Sequence, residues 1–206
     1  MQQTRIYLVR HGQTQWNMDK RMQGQKDSPL TEKGMRQAKN LHNRLLGENI
    51  GSIYSSTSER ARETAEIIKG DRNVSIIFKS ELKEINMGTW EGMKQCDVLN
   101  SFPHEWDCFS HSPLTYSPVG SGETYQDLAD RVIPAIKNIL ASSTESSILI
   151  VSHRITLKVI MAYFGKQKLE DLWTTPDIDP ASLSVVCVQN GIGQIITYAD
   201  TVHLSD

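Results

Sequence analysis

The stretch Ile6-Tyr7-Leu8-Val9-Arg10-His11-Gly12-Gln13-Thr14 decides the reading of this chain. Its four apolar residues read as a buried strand. A cation, an imidazole and a glycine follow at once, so these groups sit where the strand leaves its sheet. Open α/β sheets bind ligands at that edge. Arg10 is always charged, and its planar fork of donors matches a phosphate. A neutral His11 beside it can act as a nucleophile. Gly12 lets the backbone come close to a bound group with no side chain in the way.

A second copy of the arrangement stands far along the chain. Ile148-Leu149-Ile150-Val151-Ser152-His153-Arg154 is again a buried strand that ends in a histidine. Two central strands of one sheet then deliver His11 and His153 to one edge. Between them, residues 55–65 read as a strand end leading into a helix. That puts Arg60 in the first helical turn, near exposed amide donors that suit an anion. Glu84, within Leu82-Lys83-Glu84-Ile85, supplies a carboxylate just after a third strand, Val74 to Phe78.

The remaining periodicity gives the fold class. Thr31 reads as an N-cap, with Leu30 as a staple. The helix it opens carries Met35, Ala38, Leu41, Leu45 and Leu46 and ends at Gly47 or Gly51. Ile53-Tyr54 is a short strand. Ser58 or Thr57 caps the next helix, with Ala61, Ala65 and Ile68 inside and Gly70 closing it. Thr124 or Ser121 opens a helix through Leu128, Val132, Ile136 and Leu140. Another follows the second histidine strand, with Leu157, Ile160, Met161 and Phe164. Ser184 to Val188 and Gln194 to Tyr198 form a hairpin turning at Asn190-Gly191. The expectation is an α/β protein: a three-layer αβα sandwich, its central sheet mostly parallel with an antiparallel edge. No linker or repeat divides residues 1–206, which read as a single domain. Residues 88–122 read as an irregular, partly helical, lid-like insertion over one face.

Composition narrows the function. A chain of 206 residues buries about 70% of its unfolded surface, enough for a core without disulfides or a structural metal. Twenty-two basic and 24 acidic residues leave a net charge of −2. That balance argues against a general nucleic-acid surface. Cys96, Cys108 and Cys187 show neither a zinc pattern nor a disulfide framework. No apolar run approaches the roughly 20 residues of a membrane span, and the N-terminus lacks the ordered regions of a signal peptide. These features predict a cytoplasmic protein without membrane or nucleic-acid partners, and they leave the oligomeric state open.

Five motifs in order, LVRHGQTQWN, LTEKG, YSSTSERARETA, LKEINMGTWEG and VSH, resemble the histidine phosphatase superfamily, also called phosphoglycerate mutase-like. The resemblance spans Tyr7 to about Phe164. RMQGQKDSPLTEKG and EINMGTWEG are most similar to its bacterial broad-specificity phosphatase branch. It implies a phosphomonoesterase acting on a small phosphorylated substrate, with His11 as the nucleophile that becomes a phosphohistidine. Arg10, Arg60 and His153 would hold the phosphoryl oxygens, and Asn17 would add a neutral donor. Gln23 is a further phosphate contact on the resemblance alone. Glu84 would protonate the leaving oxygen and then activate water; its place in LKEINMG selects it over Glu81 and Glu91. No metal or cofactor is implied. Trp90, Trp106, Phe109, Tyr116 and Trp173 are candidates for an apolar leaving-group pocket and equally for core packing. The family usually has glycine where this chain has Arg154, a long cation that enters the pocket or lies outward. Two alternatives stand beside hydrolysis: a phosphoglycerate mutase, and a non-enzymatic phospho-ligand-binding regulatory module.

Overall fold

The computed structural model describes residues 3–204. One sheet of six strands forms the centre: β1 (Thr4–Arg10), β2 (Ser52–Ser56), β3 (Ile76–Lys79), β4 (Ser147–Ser152), β5 (Leu183–Gln189) and β6 (Ile192–Asp200). Their order is β3-β2-β4-β1-β5-β6. The first four are parallel to one another. β5 runs antiparallel to β1, and β6 antiparallel to β5. The helices are α1 (Gln15–Met18), α2 (Glu32–Arg44), α3 (Glu59–Lys69), α4 (Gln95–Ser101), α5 (Pro103–His111), α6 (Tyr125–Ser142) and α7 (Arg154–Gly165).

Side chains alternate across each strand, so β1 and β4 feed two cores. Ile6, Leu8, Ile148 and Ile150 pack with Leu128 and Val132 of α6 and Val159 and Ile160 of α7. Tyr7, Val9, Leu149 and Val151 pack with Leu41 of α2 and Ala61, Ala65 and Ile68 of α3. Covering both faces makes the three layers. It also explains why the central strands are apolar throughout rather than alternating. The expected fold class holds, and the hairpin turns at Asn190 (φ 54°) and Gly191 (φ 75°) as its residue types predict.

Three local expectations need correction. α2 stops at Arg44 with Leu45 as its C-cap, before either glycine. Met35 and Leu46 are exposed, while Gly34, Ala38, Leu41 and Leu45 form the buried stripe. Gly34, rather than Met35, faces inward because the Gln13 backbone packs onto it. β3 begins at Ile76 instead of Val74 and forms an edge, where Ile77 and Phe78 are partly solvated. Residues 88–122 hold α4 and α5 around buried Trp90, whose ring lies 5.5–6.3 Å from those of Phe102, Trp106, Phe109 and Tyr116. This segment is ordered by aromatic packing, which no periodic pattern announces.

Candidate active site

The parallel register aligns Val9 with Val151 and Arg10 with Ser152. His11 and His153 therefore leave the sheet side by side, with ring centroids 5.2 Å apart. The His11 amide donates to the Ser152 carbonyl at 3.0 Å, which carries the ladder one residue past the strand. Nδ1 of His11 lies 2.8 Å from the Gly12 carbonyl. A carbonyl only accepts, so Nδ1 holds the proton and Nε2 keeps its lone pair. Arg60 donates its Nε–H to that lone pair at 3.2 Å. Burial, and then the charges of Arg60 and Arg10, push the His11 pKa well below the usual imidazole value. His11 is a neutral imidazole whose Nε2 lone pair is fixed in direction.

His153 is shifted the same way by burial and then by Arg60, His11 and Arg10. Its Nε2 lies 2.8 Å from the Ser56 hydroxyl at the end of β2. Its Nδ1 and the Nε of Arg10 are buried without a hydrogen-bond partner among the described residues. Unpartnered buried polar atoms cost stability. Two of them beside one imidazole are what an oxyanion would satisfy. Arg10 donates from Nη1 to the Ile178 carbonyl at 2.6 Å. Burial, mainly, pushes its pKa down to about 10.

Arg60 occupies the first turn of α3, as expected, and is 1% exposed. Its Nη1 reaches Asp27 at 2.6 Å and the Lys26 carbonyl at 2.7 Å, and its Nη2 reaches the Gly24 carbonyl at 2.8 Å. The loop that supplies these acceptors is held by Glu91. That carboxylate accepts from the amides of Gln25 (2.7 Å), Lys26 (3.2 Å) and Met87 (3.1 Å). Sequence reasoning missed Asp27 and weighed Glu91 only as a rival to Glu84. The sole available signal was that both lie inside the motif stretches.

Glu84 sits where the third strand's continuation meets the start of α7. Its carboxylate accepts from the amides of Ile85 (3.0 Å), Ile155 (3.1 Å) and Thr156 (3.1 Å) and from the Thr156 hydroxyl (3.1 Å). α7 has no side-chain cap of its own at His153, so Glu84 satisfies its first amides. Asn17 uses its side-chain oxygen in a reciprocal cap with Thr14 at 3.0 Å. Gln23 donates to the Thr14 hydroxyl at 2.8 Å.

A cleft of about 370 Å3 joins these groups. Arg10, His11, Asn17, Gln23, Arg60 and Glu84 line it, and His153 lies enclosed against His11. Trp106, Phe109 and Trp173 form an apolar wall, whereas Trp90 and Tyr116 are core residues outside it. Gly12 has a different reason from the expected one. A Cβ there would stand 2.5 Å from the Gly34 carbonyl oxygen, so the glycine permits packing on α2 rather than ligand approach. Arg154 lies at the cleft, paired with Asp177. Among the described residues no three His, Cys, Asp or Glu side chains group to hold a metal ion. No helix among them is long and apolar enough to cross a membrane.

Comparison with known proteins gives the family and the fold. The profile of the histidine phosphatase superfamily (branch 1) matches residues 6–201. "Probable phosphoglycerate mutase GpmB" of Escherichia coli O1:K1 is 40% identical over 157 residues, 76% of this chain and 73% of that protein. The solved structure of Bacillus stearothermophilus YhfR superimposes with a TM-score of 0.94 at 38% identity, covering 98% of this chain and all of that one. The α-ribazole phosphatase of Shigella flexneri gives 0.87 at 27% identity, over 96% of each chain.

Proposed function

This chain belongs to the histidine phosphatase superfamily, branch 1, and from that premise we propose that it hydrolyses small phosphomonoesters through a phosphohistidine on His11. The observation that carries the reading is the fixed lone pair on His11 Nε2, held in the cleft by the Arg60 Nε–H. In the first step Nε2 attacks phosphorus, the ester P–O bond breaks, and Glu84 gives a proton to the leaving oxygen. In the second, water attacks phosphorus, the P–N bond breaks to return the lone pair to Nε2, and Glu84 takes the water's proton. Arg10, Arg60 and His153 hold the phosphoryl oxygens as charge shifts from the ester to the leaving group. Asn17 offers its amide NH2, and Gln23 fixes the turn that presents it.

Residues 88–122 act in this reading as the lid of a single domain, since α5 contributes Trp106 and Phe109 to the cleft wall. The three cysteines are unpaired, in keeping with the reducing cytoplasmic setting expected from their spacing.

The test is release of phosphate from p-nitrophenyl phosphate, with rapid quenching of 32P-labelled ester. Native protein should yield an acid-labile, base-stable adduct, and His11→Ala should lose turnover by on the order of 10³ or more. Turnover without such an adduct would refute the mechanism. A mutase reading is favoured by the 40% identity to the Escherichia coli protein of that name. Fast interconversion of phosphoglycerates with negligible hydrolysis would establish it instead. The regulatory-module reading has one residue in its favour, Arg154, where the family usually has glycine. That side chain is clipped to Asp177 at the cleft rim and leaves the His11 constellation intact.

A further inference from the structure

The cleft carries more positive charge than one phosphoryl group requires. Arg10, Lys20, Arg21, Arg60 and Arg154 line it, against the single carboxylate of Glu84. Arg10 and Arg60 stand at the nucleophile, and Lys20, Arg21 and Arg154 remain on the rest of the wall. Arg154 is the most rigidly held of these three. Its Nε and Nη2 grip the two oxygens of Asp177 at 2.7 and 2.8 Å. Its guanidinium carbon lies 4.9 Å from the centre of the Trp173 ring. Trp173 is itself tied to α5 by an Nε1–H bond to the Phe109 carbonyl at 2.9 Å. Nη1 of Arg154 has no partner among the described residues, and the side chain remains 35% exposed.

Arg154 is not needed to hold the 172–178 segment. Lys158 does that from within, donating to the carbonyls of Leu172 (3.2 Å) and Pro176 (3.0 Å) and to the Thr175 hydroxyl (3.0 Å). Ile178 is further anchored by Arg10 at 2.6 Å. An arginine that is fixed by a carboxylate and an indole, and still offers an unused donor edge, is preorganised to receive an anion.

We propose that Arg154 is a specificity residue that selects phosphomonoesters whose leaving group bears a second anionic oxygen group, carboxylate or phosphate, beside an apolar body that rests on Trp106, Phe109 and Trp173. The inference rests on the phosphatase reading above and names its substrate class. The leaving group then spans the cleft, with its ester oxygen at His11 and Glu84 and its second anion at Nη1 of Arg154.

The test compares 3-carboxyphenyl phosphate with the neutral 3-carbamoylphenyl phosphate, matched in size and shape. A third arm uses 1,3-phenylene bisphosphate to separate carboxylate from phosphate as the second anion. Native protein should prefer at least one acidic ester by roughly tenfold in kcat/KM, the scale of one charge-assisted hydrogen bond. Arg154→Gly and Arg154→Gln should erase that preference while leaving the carbamoyl ester within about twofold. High salt should weaken the preference. If the variants slow the acidic and neutral esters by one common factor, Arg154 is a structural clip and the proposal is wrong. An unchanged ratio overturns it equally. Binding of the same esters to His11→Ala gives a readout without turnover. If the native protein hydrolyses none of them, the phosphatase reading fails, and the binding ratio still decides the role of Arg154. Folding of each variant is checked by its melting curve.

Discussion

At the scale of single residues, the site is a set of constraints on two nitrogens and one carboxylate. His11 owes its tautomer to the Gly12 carbonyl and its neutrality to burial and two arginines. Glu84 is the residue whose role and structural duty are hardest to separate, because its carboxylate also caps α7. Leaving-group chemistry separates them. As a proton donor, Glu84 contributes most when the departing oxygen is strongly basic. Glu84→Gln should therefore cost about 10²–10⁴ in kcat/KM with an alkyl phosphate and much less with p-nitrophenyl phosphate, whose phenolate leaves without help. A loss of equal size on both esters would mean that the substitution acts through the helix cap alone.

At the scale of elements, the chemistry depends on how the exit from β1 is packed against α2. A Cβ on Gly34 would stand 2.1 Å from the Gln13 carbonyl oxygen. Gly34→Ala gains about 1 kcal/mol of helix propensity. Overpacking costs about 1–3 kcal/mol, and here the upper end applies because a backbone oxygen cannot swing aside. The net expectation is a loss of about 1–2 kcal/mol in urea unfolding, together with a fall in kcat as the His11–Gln13 turn shifts. Stability equal to or above the native value would show that this contact relaxes freely. The same contact marks the boundary of what the sequence made legible. His11 and His153 could be placed because a buried strand that ends in a polar residue fixes its position at the sheet edge. Arg60 could be placed because a strand end and a helix start bracket it. Asp27 and Glu91 could not, since their partners are loop amides and a guanidinium brought near by tertiary packing. The residue type alone points Gly12 toward a ligand, whereas its neighbour is another glycine, a contact that no spacing encodes. For the 88–122 segment the partly helical character is legible and the packing is not, for a related reason. Its order comes from aromatic rings that meet across short helices, not from a repeat along one of them.

At the scale of the whole molecule, the sheet converges two imidazoles, two arginines and a carboxylate on one edge, and does so at a cost in stability that depends on pH. His11 and His153 are both buried, and both have pKa values well below that of an exposed imidazole. In the unfolded chain each would titrate near 6.5. Below that pH the unfolded state binds two protons that the native state refuses, so stability rises with pH up to about 6.5 and levels off above it. Each group contributes about 1.4 kcal/mol per pH unit on the sloping side. Between pH 7 and 5.5 the two together should remove about 2.5 kcal/mol of unfolding free energy. His203, depressed by burial in the same direction, can only add to the slope. The depressed carboxylates Asp177 and Asp200 act in a lower window, as pH falls through their own pKa values. Urea unfolding at pH 7.0, 6.5, 6.0 and 5.5 measures the effect, and His153→Gln should reduce the slope by about the share of one group. A native protein equally stable at pH 7 and 5.5 would mean that these rings take up protons where they sit. His11 could not then keep Nε2 unprotonated in mild acid, and the proposed nucleophile would need a base to uncover it.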